Sequence, residues 1–307
     1  MRITDEMTYR MLRTNIASNQ LSLRKLQEQI ASGRKISVPS DGPGSYEVIQ
    51  RLRKDLSGMD QYALNAERVD RDLLVADNVF QQMLNLFQRG SELAVMGGNS
   101  AQTPADLETI GKEVDELLGA LLDLANTSIG GRYLFGGTET LATPFVTTTD
   151  AEGLISAVSY VGNADIRFVE VSRGVYIEAN VPGADAVSPN AVFQTGALDL
   201  FDNLIRMRDR LLAGQTTLDP TALADMNESL DHVVNLLGAN GARRQRIQLS
   251  VEMLGQHQAN VQKALEQEES VDIALAITRL SQSQLAYEAA MQVTAGIMNQ
   301  STLLHWL

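Results

Sequence analysis

The two ends of the chain carry apolar residues in alternating steps of three and four. At the N-terminal end the positions are Tyr9, Leu12, Ile16, Asn19, Leu23, Leu26 and Ile30. At the C-terminal end they are Ile273, Ile277, Leu280, Gln284, Tyr287, Met291, Thr294 and Met298. A helix with this spacing shows one narrow apolar seam, and such a seam needs a partner helix to bury it. A seam at each end implies that the ends pack on each other or on the ends of neighbouring copies. That requirement puts an assembly subunit ahead of an enzyme.

The 307 residues leave room for about two domains at roughly 150 residues each. A hydrophobic content of 44% allows a real core, but aromatics make up only 5%. A core of Leu, Val, Ile, Met and Ala suits helical bundles better than a large β-sandwich.

The net charge of -13 argues against general nucleic-acid binding, which needs a basic face to neutralise phosphates. The charge is uneven. Residues 1–60 hold ten Lys or Arg against seven Asp or Glu, and residues 263–307 hold two against five. Opposite charge on two helices that pair would help set which end meets which; two solvated faces that differ by chance are the plainer alternative. The absence of cysteine excludes disulfides, thiolate metal sites and cysteine nucleophiles. The start, MRITDEMTYR, lacks the apolar run of a cleaved secretion signal, and no stretch approaches the ~20 apolar residues of a membrane span. The expectation is no membrane insertion, with the chain either cytosolic or exported without a cleaved signal.

Along the chain, residues 3–31 read as one amphipathic helix ending near Ser32-Gly33. Two prolines and three glycines in SGRKISVPSDGPG, residues 32–44, mark a loop or hinge. A long helical pattern covers 45–96. Another starts at Thr103-Pro104, where Thr can cap free amides and Pro is tolerated at the first position. Residues 141–196 change character. Ile166, Phe168, Val169 and Val171 face Val175, Ile177, Ala179 and Val181 around a Ser-Arg-Gly turn, a hairpin pattern. Helical spacing returns at 197–213, then from Asp219-Pro220 to about 262. The expected fold is mainly α: a long-helix bundle formed by the N- and C-terminal regions, with a small β-rich insertion. Its expected parts are 1–44 with 263–307 as the assembly region, 45–140 with 197–262 as the helical bundle, and 141–196 as the insertion.

Catalytic patterns find little support. The three histidines, His232, His257 and His305, stand at no metal-ligand spacing, so no metal or cofactor is expected. The segment Ile129-Gly130-Gly131-Arg132-Tyr133-Leu134-Phe135-Gly136-Gly137 is glycine-rich but lacks the Lys-Ser or Lys-Thr of a phosphate loop. It reads instead as a flexible entry to the insertion. Arg243, Arg244 and Arg246 read as one side of inter-helix or inter-subunit ion pairs rather than as an anion site. Methionines such as Met83 and Met226 read as core filler.

Three stretches resemble the flagellin superfamily, most closely its hook–filament junction members. The first is the N-terminal helix followed by Ala31-Ser32-Gly33-Arg34-Lys35-Ile36 and Pro39-Ser40-Asp41-Gly42-Pro43, with Gly42 where a second acidic residue is common. The second is Gly131-Arg132-Tyr133-Leu134-Phe135-Gly136-Gly137-Thr138 with Pro144-Phe145. The third is the terminal helix from Val271-Asp272-Ile273-Ala274 to Ser301-Thr302-Leu303-Leu304. A short insertion and the Leu-Leu-His-Trp-Leu tail favour the junction branch over flagellin itself.

The resemblance implies a non-enzymatic, secreted subunit of the bacterial flagellum, exported through the type III channel. Implied partners are copies of itself in a ring, the other hook–filament junction protein, flagellin, and an export chaperone on the C-terminal helix. The alternatives are a flagellin-type filament subunit, a cytosolic coiled-coil adaptor, and an enzyme with chemistry hidden in the insertion. Candidate assembly residues are Leu12, Ile16, Leu23, Leu26, Ile30, Ile273, Ile277, Leu280, Tyr287 and Met291. Candidate hinge residues are Gly33, Arg34, Lys35, Pro39, Asp41 and Pro43.

Overall fold

The computed structural model describes the backbone of residues 5–99, 101–186, 191–196, 198–215 and 220–304. Asp219, His305 and Trp306 lie outside the described residues, as do the side chains of Tyr9, Met298, Leu303 and Leu304. In chain order the elements are α1 (Asp5–Ser32), α2 (Pro43–Gly97), α3 (Pro104–Ala125), β1 (Ser128–Ile129), β2 (Arg132–Tyr133), β3 (Phe145–Thr149), β4 (Ile155–Tyr160), β5 (Phe168–Ser172), β6 (Val175–Glu178), β7 (Ala184–Asp185), β8 (Gln194–Thr195), α4 (Leu200–Leu212), α5 (Pro220–Glu269) and α6 (Ile273–Leu304). A 3-10 turn, Pro39–Asp41, precedes α2.

The caps explain several boundaries. Thr103 accepts from the Asp106 N–H, and the Asp106 carboxylate accepts from the Thr103 N–H, so α3 starts with a reciprocal box. Asp199 accepts from the Phe201 and Asp202 amides and starts α4 three residues later than the sequence pattern suggests. Burial pushes the Asp199 carboxyl up, against the hydrogen bonds it accepts. Helix α5 runs past the expected end near 262 to Glu269. The extra residues, KALEQEE, are good helix formers, and Leu265 among them is buried.

The chain forms two compact units, Met1–Gly58 with Gln256–Leu307, and Met59–Gly255. Both boundaries fall inside continuous helices, α2 and α5, rather than at the 44/45 and 262/263 positions that the sequence pattern suggests. The β-rich stretch belongs to the second unit along with its helices.

In that second unit the main core joins α2, α3, α4 and α5 to the strands. Phe135, Phe145, Phe193 and Phe201 are buried and packed ring against ring, with centroids 5.1 to 5.6 Å apart along this set, and Phe80 lies 6.2 Å from Phe135. Such aromatic pairs add about 0.5–1.5 kcal/mol each beyond the area they bury. The sparse aromatics are therefore concentrated where helices meet strands. Gly183 belongs to this cluster, because a Cβ there would lie 2.7 Å from the Phe145 ring. A second cluster places the β5–β6 hairpin on helices α2 and α5, through Val171, Ile177 and Ala179 against Ala66, Val69, Leu73 and Ile247. Gly174, at φ +74, turns this hairpin, as the Ser-Arg-Gly signal suggests.

Polar links fix the same contacts. Arg243 of α5 pairs with Glu178 of β6, and Arg244 pairs with Asp70 of α2 at 3.0 Å. Two of the three clustered arginines thus serve inter-element ion pairs, while Arg246 is exposed. His232 lies on α5 with Nε2 2.9 Å from the Ala191 carbonyl.

Candidate assembly surface

In the first unit α1 packs along α6. On α1 the half-buried positions from residue 12 to residue 30 are Leu12, Ile16, Asn19, Leu23, Leu26, Gln29 and Ile30. Apart from Gln29, these are the seam positions read from the sequence.

On α6 the covered face is rotated by one residue. Ala276 is buried, and Leu280, Ser283, Tyr287, Ala290 and Thr294 are half-buried. These also alternate in fours and threes. They share Leu280, Tyr287 and Thr294 with the sequence-derived seam but replace its bulkier partners with small residues. Alanine and serine let a neighbouring backbone approach more closely, so the helix turns them inward. Ile273, Ile277 and Met291 are left 52%, 49% and 48% exposed. Leu275, Leu285 and Val293 are exposed as well. Helix α6 thus carries apolar residues on a packed face and on an open one. Met11 and Leu21 are similarly exposed on α1.

The segment between α1 and α2 is fastened at several points. Gly33 has φ +69, which suits glycine at a helix C-terminus. Its carbonyl accepts from the Val271 N–H at 3.0 Å, and the Lys35 N–H donates to the Glu269 carbonyl at 2.7 Å. Arg34 and Ser270 form an isolated antiparallel bridge. The Glu269 carboxylate, only 12% exposed, pairs with Arg34 and also with Arg53, whose Nη2 is 2.7 Å away. The connection into α2 is therefore stitched to the connection out of α5.

Asp41 forms the other clasp. Its Oδ1 is 2.7 Å from Lys25 Nζ of α1, and its Oδ2 accepts from the Ser37 and Val38 amides at 3.0 and 3.2 Å. The Lys25 hydrogen bond, then the two amides, hold its carboxyl down to about 2. Pro39 opens the 3-10 turn and Pro43 opens α2. Beneath them Ile36, Ile49 and Leu265 form a small core, with Tyr46, Leu52 and Leu56 around it. Of the predicted hinge residues, Gly33, Arg34, Lys35 and Asp41 make these links. Arg53, Glu269 and Val271 complete them. Nothing in the local sequence pattern marks Glu269 as the shared acceptor, because its partners stand more than two hundred residues away in the chain.

Among the described residues no group of three or more His, Asp or Glu is arranged to hold a metal ion, and no helix is long and apolar enough to cross a membrane.

Residues 3–140 match the bacterial flagellin N-terminal helical region. The chain is similar to flagellar hook-associated protein 3 of Salmonella typhimurium, with 27% identity over 221 residues that cover 71% of this chain and 67% of that protein. It is also similar to polar flagellin C of Vibrio parahaemolyticus, with 27% identity over 167 residues, 52% of this chain and 43% of that one. A solved structure described as a putative flagellar hook-associated protein from Vibrio parahaemolyticus has the same fold at a TM-score of 0.62. It is 18% identical, and the match covers 75% of this chain and all of that one. Its N-terminal region is therefore similar to that of bacterial flagellins, its relatives include a flagellar hook-associated protein and a flagellin, and its mainly helical fold with a small strand-bearing part is shared with a solved hook-associated structure.

Proposed function

We propose that this chain is a structural subunit of the bacterial flagellum that forms the junction between hook and filament. The observation that carries this reading is the 27% identity to a flagellar hook-associated protein across 71% of the chain, against 21% identity across 74% of it to the flagellin of Bacillus subtilis. The open apolar face of α6 supports it physically. Ile273, Ile277 and Met291 are solvent-facing in a single copy, and burying such a row against a neighbour yields about 25 cal/mol per Å² removed from water. The role is non-enzymatic. Copies close into a ring, meeting the other junction protein on one side and flagellin on the other. Export runs through the flagellar type III channel, with a chaperone covering the C-terminal helix beforehand, and the mature location is extracellular.

A strain deleted for this gene tests the reading. Hooks that carry no filament, with flagellin monomers shed into the medium, are the expected result. Bare hooks with no flagellin at all would favour the second reading, a flagellin-type filament subunit, which the similarity to polar flagellin C keeps in play. Normal flagella would overturn both.

A further inference from the structure

A small cavity in the second unit collects positive charge on an otherwise acidic chain. Its volume is about 130 Å³. Its lining includes Arg68 of α2, Arg132 of β2, and Arg167, which lies just before β5, together with Asp72 of α2. The lining thus holds three arginines and one carboxylate. Arg167 Nη2 reaches Asp72 Oδ2 at 3.2 Å, while Arg167 Nε is buried with no hydrogen-bond partner. Among the described residues, no carboxylate pairs with Arg68 or Arg132. The amide of Asn180, also in the lining, is already engaged. Its Nδ2 donates to the Gly137 and Asp165 carbonyls, and its Oδ1 accepts from the Arg167 N–H. This closes the one nearby side-chain amide to the orphan donor.

A buried N–H without an acceptor costs about 1–3 kcal/mol, so native structures rarely leave one unmatched. Guanidinium groups present fixed N–H forks that fit planar or tetrahedral oxyanions, and charge-assisted bonds of that kind are about twice as strong as neutral ones. The cavity has room for about four waters at ~30 Å³ each, or for one such anion. The glycine-rich stretch around Arg132 builds one wall. Gly130 and Gly131 take φ +57 and +79, which turns β1 back into β2 and sets Arg132 on the returning strand.

We propose that this cavity is an oxyanion site, read by Arg68, Arg132 and Arg167. The occupant is either free phosphate or the carboxylate of a neighbouring copy, two sources with one chemistry. Only the second source rests on the assembly reading.

The test uses the unassembled full chain, with inorganic phosphate replacing chloride at constant ionic strength. The expected result is a saturable rise in melting temperature and a shift of the Arg167 Nε–H resonance. Arg68→Gln and Arg132→Gln should each weaken the apparent affinity roughly tenfold, the equivalent of one charge-assisted bond. If phosphate moves neither reading in the wild-type chain, the proposal is overturned. It is equally overturned if both variants respond as the wild type does. Should a variant fail to fold, the wild-type Arg167 resonance decides alone. Repeating the titration on assembled copies separates the sources. A site already filled by a neighbour's carboxylate no longer responds, whereas a site for free phosphate still does. A chain that takes phosphate but never assembles would sink the assembly reading and leave the site standing.

Discussion

Arg208 of α4 and Asp115 of α3 form an ion pair in which the arginine side chain is 1% exposed and Nη1 lies 2.8 Å from Oδ1. The same guanidinium reaches Asp209 and donates from Nη2 to the Ile155 carbonyl of β4 at 2.8 Å. Burial works against the charge, but the two carboxylates outweigh it and hold the group above its ordinary pKa. One side chain thereby joins two helices and a strand.

Removing one partner of this pair should therefore hurt more than removing both. Asp115→Ala leaves a buried cation with a weaker set of acceptors, and a loss of about 2–4 kcal/mol is expected, since Asp115 is itself part-exposed. Arg208→Met combined with Asp115→Leu should recover much of that loss. Urea midpoints of the wild type, Arg208→Met, Asp115→Leu and their combination form the cycle; strict additivity would show that the two groups do not couple.

Asp41 gives the segment between α1 and α2 a pH signature. Its folded carboxyl lies near 2 against an ordinary 3.8, mainly through Lys25. A depressed folded value means that the contribution is present above pH 3.8 and lost as pH falls from there through about 2. An NMR titration of the Asp41 carboxyl should find its midpoint near 2 in the wild type. In Lys25→Met the midpoint should rise toward the ordinary value, and an unchanged midpoint would break the assignment.

Two glycines with the same backbone angle should respond differently to alanine. Gly33 and Gly137 both have φ +69, but a Cβ at Gly33 meets open space, whereas at Gly137 it would lie 2.0 Å from the Asn163 carbonyl oxygen. Gly33→Ala should cost about 1–2 kcal/mol for the left-handed backbone alone. Gly137→Ala adds a clash with main chain that cannot move cheaply, and should cost clearly more. Equal midpoint shifts would mean that the loop around Asn163 yields.

The open face of α6 should separate folding from assembly. Ile277→Asp with Met291→Asp changes exposed residues, so the unfolding free energy from urea titration should change by less than about 1 kcal/mol. Attachment of the filament to the hook should nevertheless fail. Leu26→Asp with Leu280→Asp falls on the half-buried faces of α1 and α6 and should lower both stability and motility. Motility preserved in both double variants would remove these helices from the interface.

Periodicity made the helices legible, and local chemistry made several boundaries so. The Thr103 cap, the glycine turn before β6 and the seam on α1 depend on residues close together in sequence, and the structure places each where the pattern puts it. The rotation of α6 was not legible in the same way. Both candidate faces keep the three-four spacing, and only the close approach of α1 selects the face with Ala276, Ser283 and Ala290.

The sequence by itself determined the mainly helical class, an apolar seam on each terminal helix and the absence of thiol chemistry, because each follows from residue type and short-range spacing. Tertiary structure alone decided that Glu269 gathers Arg34 and Arg53, that Arg208 is buried among α3, α4 and β4, and that three arginines share one cavity. Charges act through space, and Asp115 stands 93 residues from Arg208, while Arg34 and Arg53 stand more than two hundred from Glu269. The folded backbone, not the local pattern, sets which of them meet.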